Sequence, residues 1–275
     1  VIGHICSGAT KAALGIYKDS NIPVISPSAT NPPLTKSGDY PNFFRTIAPD
    51  DAQAKLDVDF AVDELGLTSI AVLHDKGDYG KGFAEFALSY LEERSGVEVV
   101  MFEGIQVGAV DYSAIINKVD ASGAEAIIYG GYHPEASKLV GQMRSKGMDT
   151  IFISDDGVKD DTFIKVAKEA AEGVYASGPV DTTSNPMAVA ATKAHQEAYG
   201  EDPGAFFLNP YAATTAVLNA IEAAGSTEYD AIVEALRTEY VDTPLGSISF
   251  DEMGDAIGVG FSVYQVQDGQ YVELK

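Results

Sequence analysis

Five short segments of this sequence set hydroxyl, carboxylate and phenol side chains directly after runs of apolar residues. Cys6-Ser7-Gly8-Ala9-Thr10 follows VIGHI, and Pro27-Ser28-Ala29-Thr30-Asn31 follows IPVIS. Asp78-Tyr79-Gly80 follows SIAVLHD, Tyr132 follows EAIIYGG, and Asp155-Asp156-Gly157 follows TIFIS. The first two segments offer small hydroxyls, backbone amides and the positive end of a helix, which suit a carboxylate. The others offer a carboxylate that could pair with an ammonium and two tyrosines that could form apolar walls. Each also has a plain structural role: Ser7 or Thr10 as a helix N-cap, the tyrosines as rim packing, Asp156 as a turn former. The common feature is position, because in doubly wound sheets small ligands bind beyond the carboxyl ends of parallel strands.

That position requires the apolar runs to be parallel strands, and the order of segments predicts this. VIGHI, the helix-like KAALGIYKDS and IPVIS form one βαβ unit, followed by a polar loop over Pro27–Phe44. From Asp51 onward helices alternate with strands: helices over Asp51–Leu65, Gly80–Arg94, Tyr112–Ser122, Glu135–Lys146 and Asp160–Glu169, strands at SIAVLHD, VEVVMF, EAIIYGG, TIFIS and GVYASG. Such alternation specifies a parallel, doubly wound sheet. Three helices then succeed one another, around Met187–Tyr199, Tyr211–Ala224 and Tyr229–Thr238, before strand-like LGSISFD and a terminal hairpin turning at Asp268-Gly269. The chain opens inside a core strand, so a preceding N-terminal segment is expected.

A chain of 275 residues is long for one core, and two compact lobes are the expectation. No apolar run approaches the ~20 residues of a membrane span. Forty-one acidic against 18 basic residues give a formal charge of -23, which disfavours nucleic acid and anionic membranes as partners. Cys6, the one cysteine, cannot form an internal disulfide and reads as a small buried side chain. His4, His74, His133 and His195 show no paired ligand spacing, so no metal is expected. G-x-G-x-x-G, G-x-x-x-x-G-K-S/T and G-x-S-x-G are all absent, which removes the usual chemistry of dehydrogenases, kinases and hydrolases. The chain reads as no enzyme and calls for no cofactor.

VIGHICSG, ISPSATNP, the FRT at 44–46, HDKGDYGKG, IIYGGYHPE, the AAEG at 170–173 and ISFDEMGD, taken in order, resemble the branched-chain amino-acid-binding proteins, type I periplasmic solute receptors of ABC importers. The resemblance implies two Rossmann-like lobes with parallel sheets, 1–48 with 182–254 and 49–181 with 255–275. Three crossovers near Ile47–Pro49, Val180–Thr183 and Asp251–Asp255 would act as a hinge that closes on the ligand. It implies an absent first part of about two βα units, roughly 60 to 80 residues at ~30 per unit, and pairing of Cys6 with a cysteine there. It implies a monomer outside the cytoplasm that binds an amino acid and passes it to a membrane permease; a sensor ectodomain of the same fold is the alternative. Among site residues, Ser7 and Thr30 would hold the ligand carboxylate, with Ala29 between Ser28 and Thr30 in the same loop. The Ser28 carbonyl, the Thr30 hydroxyl and Asp156 would receive the ammonium, and Tyr79 and Tyr132 would line the side-chain pocket. Two positions depart from the family: a glutamate is usual where Asp156 stands, and an alanine or glycine where Ser28 stands.

Overall fold

The computed structural model describes residues 1–274. The chain divides into two compact units, Val1–Pro49 with Pro179–Gly260, and Asp50–Gly178 with Phe261 onward.

In the first unit, α1 (Ser7–Asp19) leads to β1 (Val24–Ser26), the short α2 (Pro33–Lys36) and β2 (Phe43–Arg45). β1 and β2 are parallel, with Ile25 opposite Phe44 and Ser26 opposite Arg45. The expected first strand, Val1–Ile5, contributes only one bridge, Ile2 to Ile25. Val1 and Gly3 exchange backbone bonds with Ile25, and the chain then leaves the strand direction for α1. The Pro27–Phe44 stretch is not a plain loop, since it holds α2 and the start of β2.

The second unit begins with α3 (Asp50–Asp59), which runs on as a π-helical turn, Phe60–Glu64. Then come β3 (Ser69–His74), α4 (Asp78–Glu92), β4 (Glu98–Gly104), α5 (Ser113–Ser122), β5 (Ala126–Gly130), α6 (His133–Ser145) and β6 (Ile151–Ser154). α7 (Asp161–Ala167) ends in a 3-10 turn, Lys168–Ala171, ahead of β7 (Tyr175–Pro179). The chain returns to the first unit for α8 (Pro186–Tyr199), α9 (Leu208–Ala224), α10 (Tyr229–Thr238), β8 (Val241–Thr243), β9 (Gly246–Phe250) and β10 (Ala256–Ile257). β11 (Phe261–Gln267) and β12 (Gln270–Glu273) close the second unit. The last passage falls at Gly260/Phe261 and not at 254/255, because Ala256 and Ile257 pair antiparallel with β9.

The second unit's sheet has the order β12-β11-β7-β6-β5-β3-β4, and the pairs from β4 through β7 are parallel. Its strands are apolar on both faces, as a sheet covered by helices on both sides requires. Ala71, Leu73, Ile127 and Tyr129 enter one core cluster, whereas Ile70, Val72, Ala126 and Ile128 enter the other. That period of two sends alternate side chains to opposite layers and leaves the strand ends to carry polar groups. Asp268 and Gly269 both have positive φ, the type I′ geometry that a two-residue hairpin favours. Among the described residues no helix is long and apolar enough to cross a membrane.

Candidate functional site

Each unit carries a polar cluster at strand carboxyl ends. In the first unit, Ser26 ends β1 with its hydroxyl turned back on its own chain, and Oγ accepts from the amides of Ala29 (2.9 Å) and Ser28 (3.3 Å). This turn holds Ser28, Ala29 and Thr30 buried beyond the end of β1. Ser28 Oγ donates to the Ile5 carbonyl (3.0 Å), and the Asn31 amide donates to Ser7 Oγ (3.2 Å), so the two loops read from the sequence are joined. Ser7 is the first residue of α1 and not its cap; the cap position is Cys6, which makes no side-chain capping bond. Thr10 turns its hydroxyl to the Cys6 carbonyl (3.0 Å). Cys6, expected to be buried, is exposed because its place before the first helical turn points the side chain outward.

Thr30 is fully buried, and its Oγ1 has no hydrogen-bond partner among the described residues. A buried hydroxyl without a partner costs about 1–3 kcal/mol relative to a satisfied one. The loop that carries it is held by Arg45, itself fully buried. Arg45 Nη1 donates to the carbonyls of Ala29 (3.2 Å) and Asn31 (3.0 Å), Nη2 to Thr35 Oγ1 (2.7 Å), and Nε to Asp255 Oδ1 (2.6 Å). The guanidinium's planar set of donors thus fixes the carbonyls on both sides of Thr30.

In the second unit, Tyr79, Tyr132 and Asp156 come together at the ends of β3, β5 and β6. The Tyr79 hydroxyl donates to Asp156 Oδ1 (2.5 Å) and accepts from the Gly157 amide (3.0 Å). The Tyr79 and Tyr132 rings lie 5.2 Å apart between centroids. Tyr79 is 5% exposed, and its hydroxyl holds Asp156 Oδ1. α4 reaches that place because residue 80 has no side chain: a Cβ there would lie 2.4 Å from the Gly130 carbonyl oxygen and 2.6 Å from Asp75 Oδ1.

Burial pushes the Asp156 carboxyl up to about 6, against the hydrogen bond from Tyr79 and the positive Lys159, which pull it down. Its neighbour Asp155 lies well above the carboxylate range, first through burial and then through the charge of Asp156. Asp155 Oδ2 accepts from the Gly131 amide (2.8 Å). Asp57 is raised by burial too; its Oδ2 accepts from Ser177 Oγ (2.9 Å), which in turn accepts from Gln53 Nε2 (2.9 Å). Asp155, Arg45, Gln53, Asp57 and Ser177 were not singled out from the sequence. A signal for two of them was there: the buried stripe of α3 is Asp50, Gln53, Ala54, Asp57 and Val58, an i, i+3, i+4, i+7, i+8 pattern in which three inward positions are polar. Among the described residues no group of three or more His, Cys, Asp or Glu side chains is placed to hold a metal ion.

The fold is that of the type I periplasmic binding proteins, a class of small-molecule receptors. Residues 1–270 match the periplasmic binding protein family, and the chain belongs to it. A Pseudomonas aeruginosa protein named for binding leucine, isoleucine, valine, threonine and alanine is 36% identical over 276 residues, all of this chain and 74% of its own length. The Leu/Ile/Val-binding protein homolog 1 of Brucella suis is 36% identical over 275 residues, 98% of this chain and 73% of the relative. Among solved structures, the leucine-binding protein LivK of Thermotoga maritima superposes with a TM-score of 0.91 at 28% identity, covering 100% of this chain and 78% of that one. LivJ of Streptococcus pneumoniae, solved with isoleucine, gives 0.84 at 28% identity, covering 100% and 79%.

Proposed function

We propose that this protein is the amino-acid receptor of an ABC importer, binding a small aliphatic α-amino acid outside the cytoplasm and passing it to a membrane permease. It acts as a monomer, without cofactor or catalysis. The observation that carries this reading is complementary chemistry in the two half-sites. The loop around Thr30 offers an unsatisfied hydroxyl, backbone groups and the start of α1 to a carboxylate, while Asp156, held by Tyr79, offers a buried carboxylate to an ammonium. A free α-amino acid carries both groups, and each cluster matches one of them. The relatives named for leucine, isoleucine and valine, and the isoleucine-bound LivJ, support the ligand class. Tyr132 contributes an aromatic face for an apolar side chain.

Isothermal titration calorimetry with leucine, isoleucine, valine, threonine, alanine and glutamate tests the reading. Asp156→Asn should weaken binding of the preferred amino acid by about 2 to 5 kcal/mol, the order found when a buried charge loses its partner. Unchanged affinity in that variant would remove Asp156 from the site, and no heat with any aliphatic amino acid would remove the ligand class.

A further inference from the structure

Lys159 stands three residues after Asp156, in the loop between β6 and α7, and its side chain has a built seat. Its Nζ lies 4.0 Å from the centre of the Tyr264 ring and 5.9 Å from that of Tyr271, both on the β11–β12 hairpin. Its stem crosses β7 at Gly178, where a Cβ would come 2.2 Å from Lys159 Cδ and 3.2 Å from Cε, so only glycine leaves the lysine its path. The backbone it springs from is held on both sides. Asp155 accepts from Gly131, and the Val158 carbonyl accepts from the Tyr271 hydroxyl (2.8 Å) and the Asp160 amide (2.7 Å). A long, flexible cation that would ordinarily sample solvent is thus confined on aromatic faces, where the ring quadrupole favours it.

The surroundings of Asp156 give this seat a consequence. Burial works against its charge. From α3, Asp57 and the buried Asp50 contribute further carboxylates to the same network, and Asp155 precedes it on its own loop. Tyr79 from α4 and Gln53 from α3 favour its charged form through hydrogen bonds, and the positive charge of Lys159 adds to them. We propose that Lys159 is a positioning residue of the ammonium half-site: seated on Tyr264 and Tyr271, it keeps Asp156 in the ionised form that pairs with the ligand. The same charge repels the ligand ammonium. Lys159 therefore does not tighten binding at every pH; it extends binding to lower pH.

The proposal rests on Asp156 receiving the ammonium, and the test separates the two. Leucine affinity is measured by calorimetry from pH 5 to pH 8.5 for the wild type and for Lys159→Met, Lys159→Gln, Lys159→Arg and Asp156→Asn, with folding followed by circular dichroism. Removal of the charge should move the midpoint of the affinity–pH curve upward. For a shift of about half a unit from a midpoint near 6, binding weakens about twofold at pH 6 and about threefold well below it. At pH 8 and above the affinity should equal or exceed that of the wild type, and Lys159→Arg should keep the wild-type midpoint. If Met and Gln lower affinity by the same factor at every pH, or leave the midpoint in place, Lys159 is packing alone and the proposal falls. An Asp156→Asn protein with wild-type affinity and pH dependence would instead overturn the underlying assignment of Asp156. Weak, pH-independent binding by that variant keeps the assignment and leaves the Lys159 variants to decide.

Discussion

Arg45→Met is the perturbation whose cost follows most directly from the geometry. Arg45 is wholly buried and makes four bonds: two to the carbonyls of Ala29 and Asn31, one to Thr35 and one to Asp255, whose side chain is only 13% exposed. Methionine fills much of the same space but leaves Asp255 as a shielded carboxylate without its cation. Removal of one member of a buried pair costs about 3–5 kcal/mol, and each stranded carbonyl that water cannot reach adds about 1–3 kcal/mol before relaxation. The loop will relax toward water, so the sum is an upper bound and about 3–5 kcal/mol is the working figure. Against a typical stability of about 5–15 kcal/mol, that leaves the first unit folded but loosened around Thr30.

The assay is urea denaturation followed by circular dichroism, together with hydrogen exchange at the Ala29 amide, which is bonded to Ser26 Oγ. Two units need not unfold together, and the loss should appear in first-unit amides before those of β3 and β5. Arg45→Lys should be nearly as damaging, because one ammonium cannot reproduce a planar fork with four partners. Arg45→Met combined with Asp255→Leu should recover part of the loss, because replacing both members of a buried pair by apolar groups is often close to neutral. A loss below about 1 kcal/mol for Arg45→Met, or a wild-type Arg45→Lys, would refute the claim that this guanidinium organises the loop.

Thr30→Val removes a hydroxyl that has no hydrogen-bond partner among the described residues. It should raise stability by up to about 1 kcal/mol while lowering amino-acid affinity by about 1.5–3 kcal/mol; melting temperature and calorimetry together check this, and a fall in both would mean the hydroxyl is already satisfied. The raised Asp156 gives two opposite pH trends. With its carboxyl near 6 in the fold against the ordinary 3.8, the folded chain holds a proton between about pH 4 and 6 that the unfolded chain releases, so this group's contribution to stability falls as pH rises through that window. Ligand affinity should do the reverse, dropping about tenfold per unit below about pH 6 as the ammonium's partner is neutralised, with proton release visible in buffers of different ionisation heat. A flat affinity between pH 5 and 8 would remove Asp156 from the ammonium contact.

The second unit was legible because its signals are long: runs such as SIAVLH and AIIYG alternate between two core layers, and helices of 10 to 15 residues separate them. The first unit was harder. β1, β2 and β8 have three residues each, and α2 has four, too short for any period to emerge. Strand-end logic brought Ser7, Ser28 and Thr30 to one place and Tyr79, Tyr132 and Asp156 to another, but it could not assign the bond between Tyr79 and Asp156. That bond spans 77 positions and exists because Gly80 lets α4 approach β5. Arg45, by contrast, stood in plain view as a cation closing a buried Phe-Phe strand, where burial demands several partners.

The places where the chain violates ordinary local rules coincide with the proposed ligand contacts. A buried threonine hydroxyl has no partner among the described residues, and burial resists the charge of an aspartate. Sequences that fold well seldom carry such conflicts except where function requires them. The groups around Asp156 are a tyrosine donor, an amide and further carboxylates. A carboxylate would relieve the first conflict and an ammonium the second, the two groups of the proposed amino acid, so the atoms proposed to bind would also cost stability. That makes Thr30→Val the sharper discriminator of the two half-sites, since a receptor built this way must gain stability where it loses affinity.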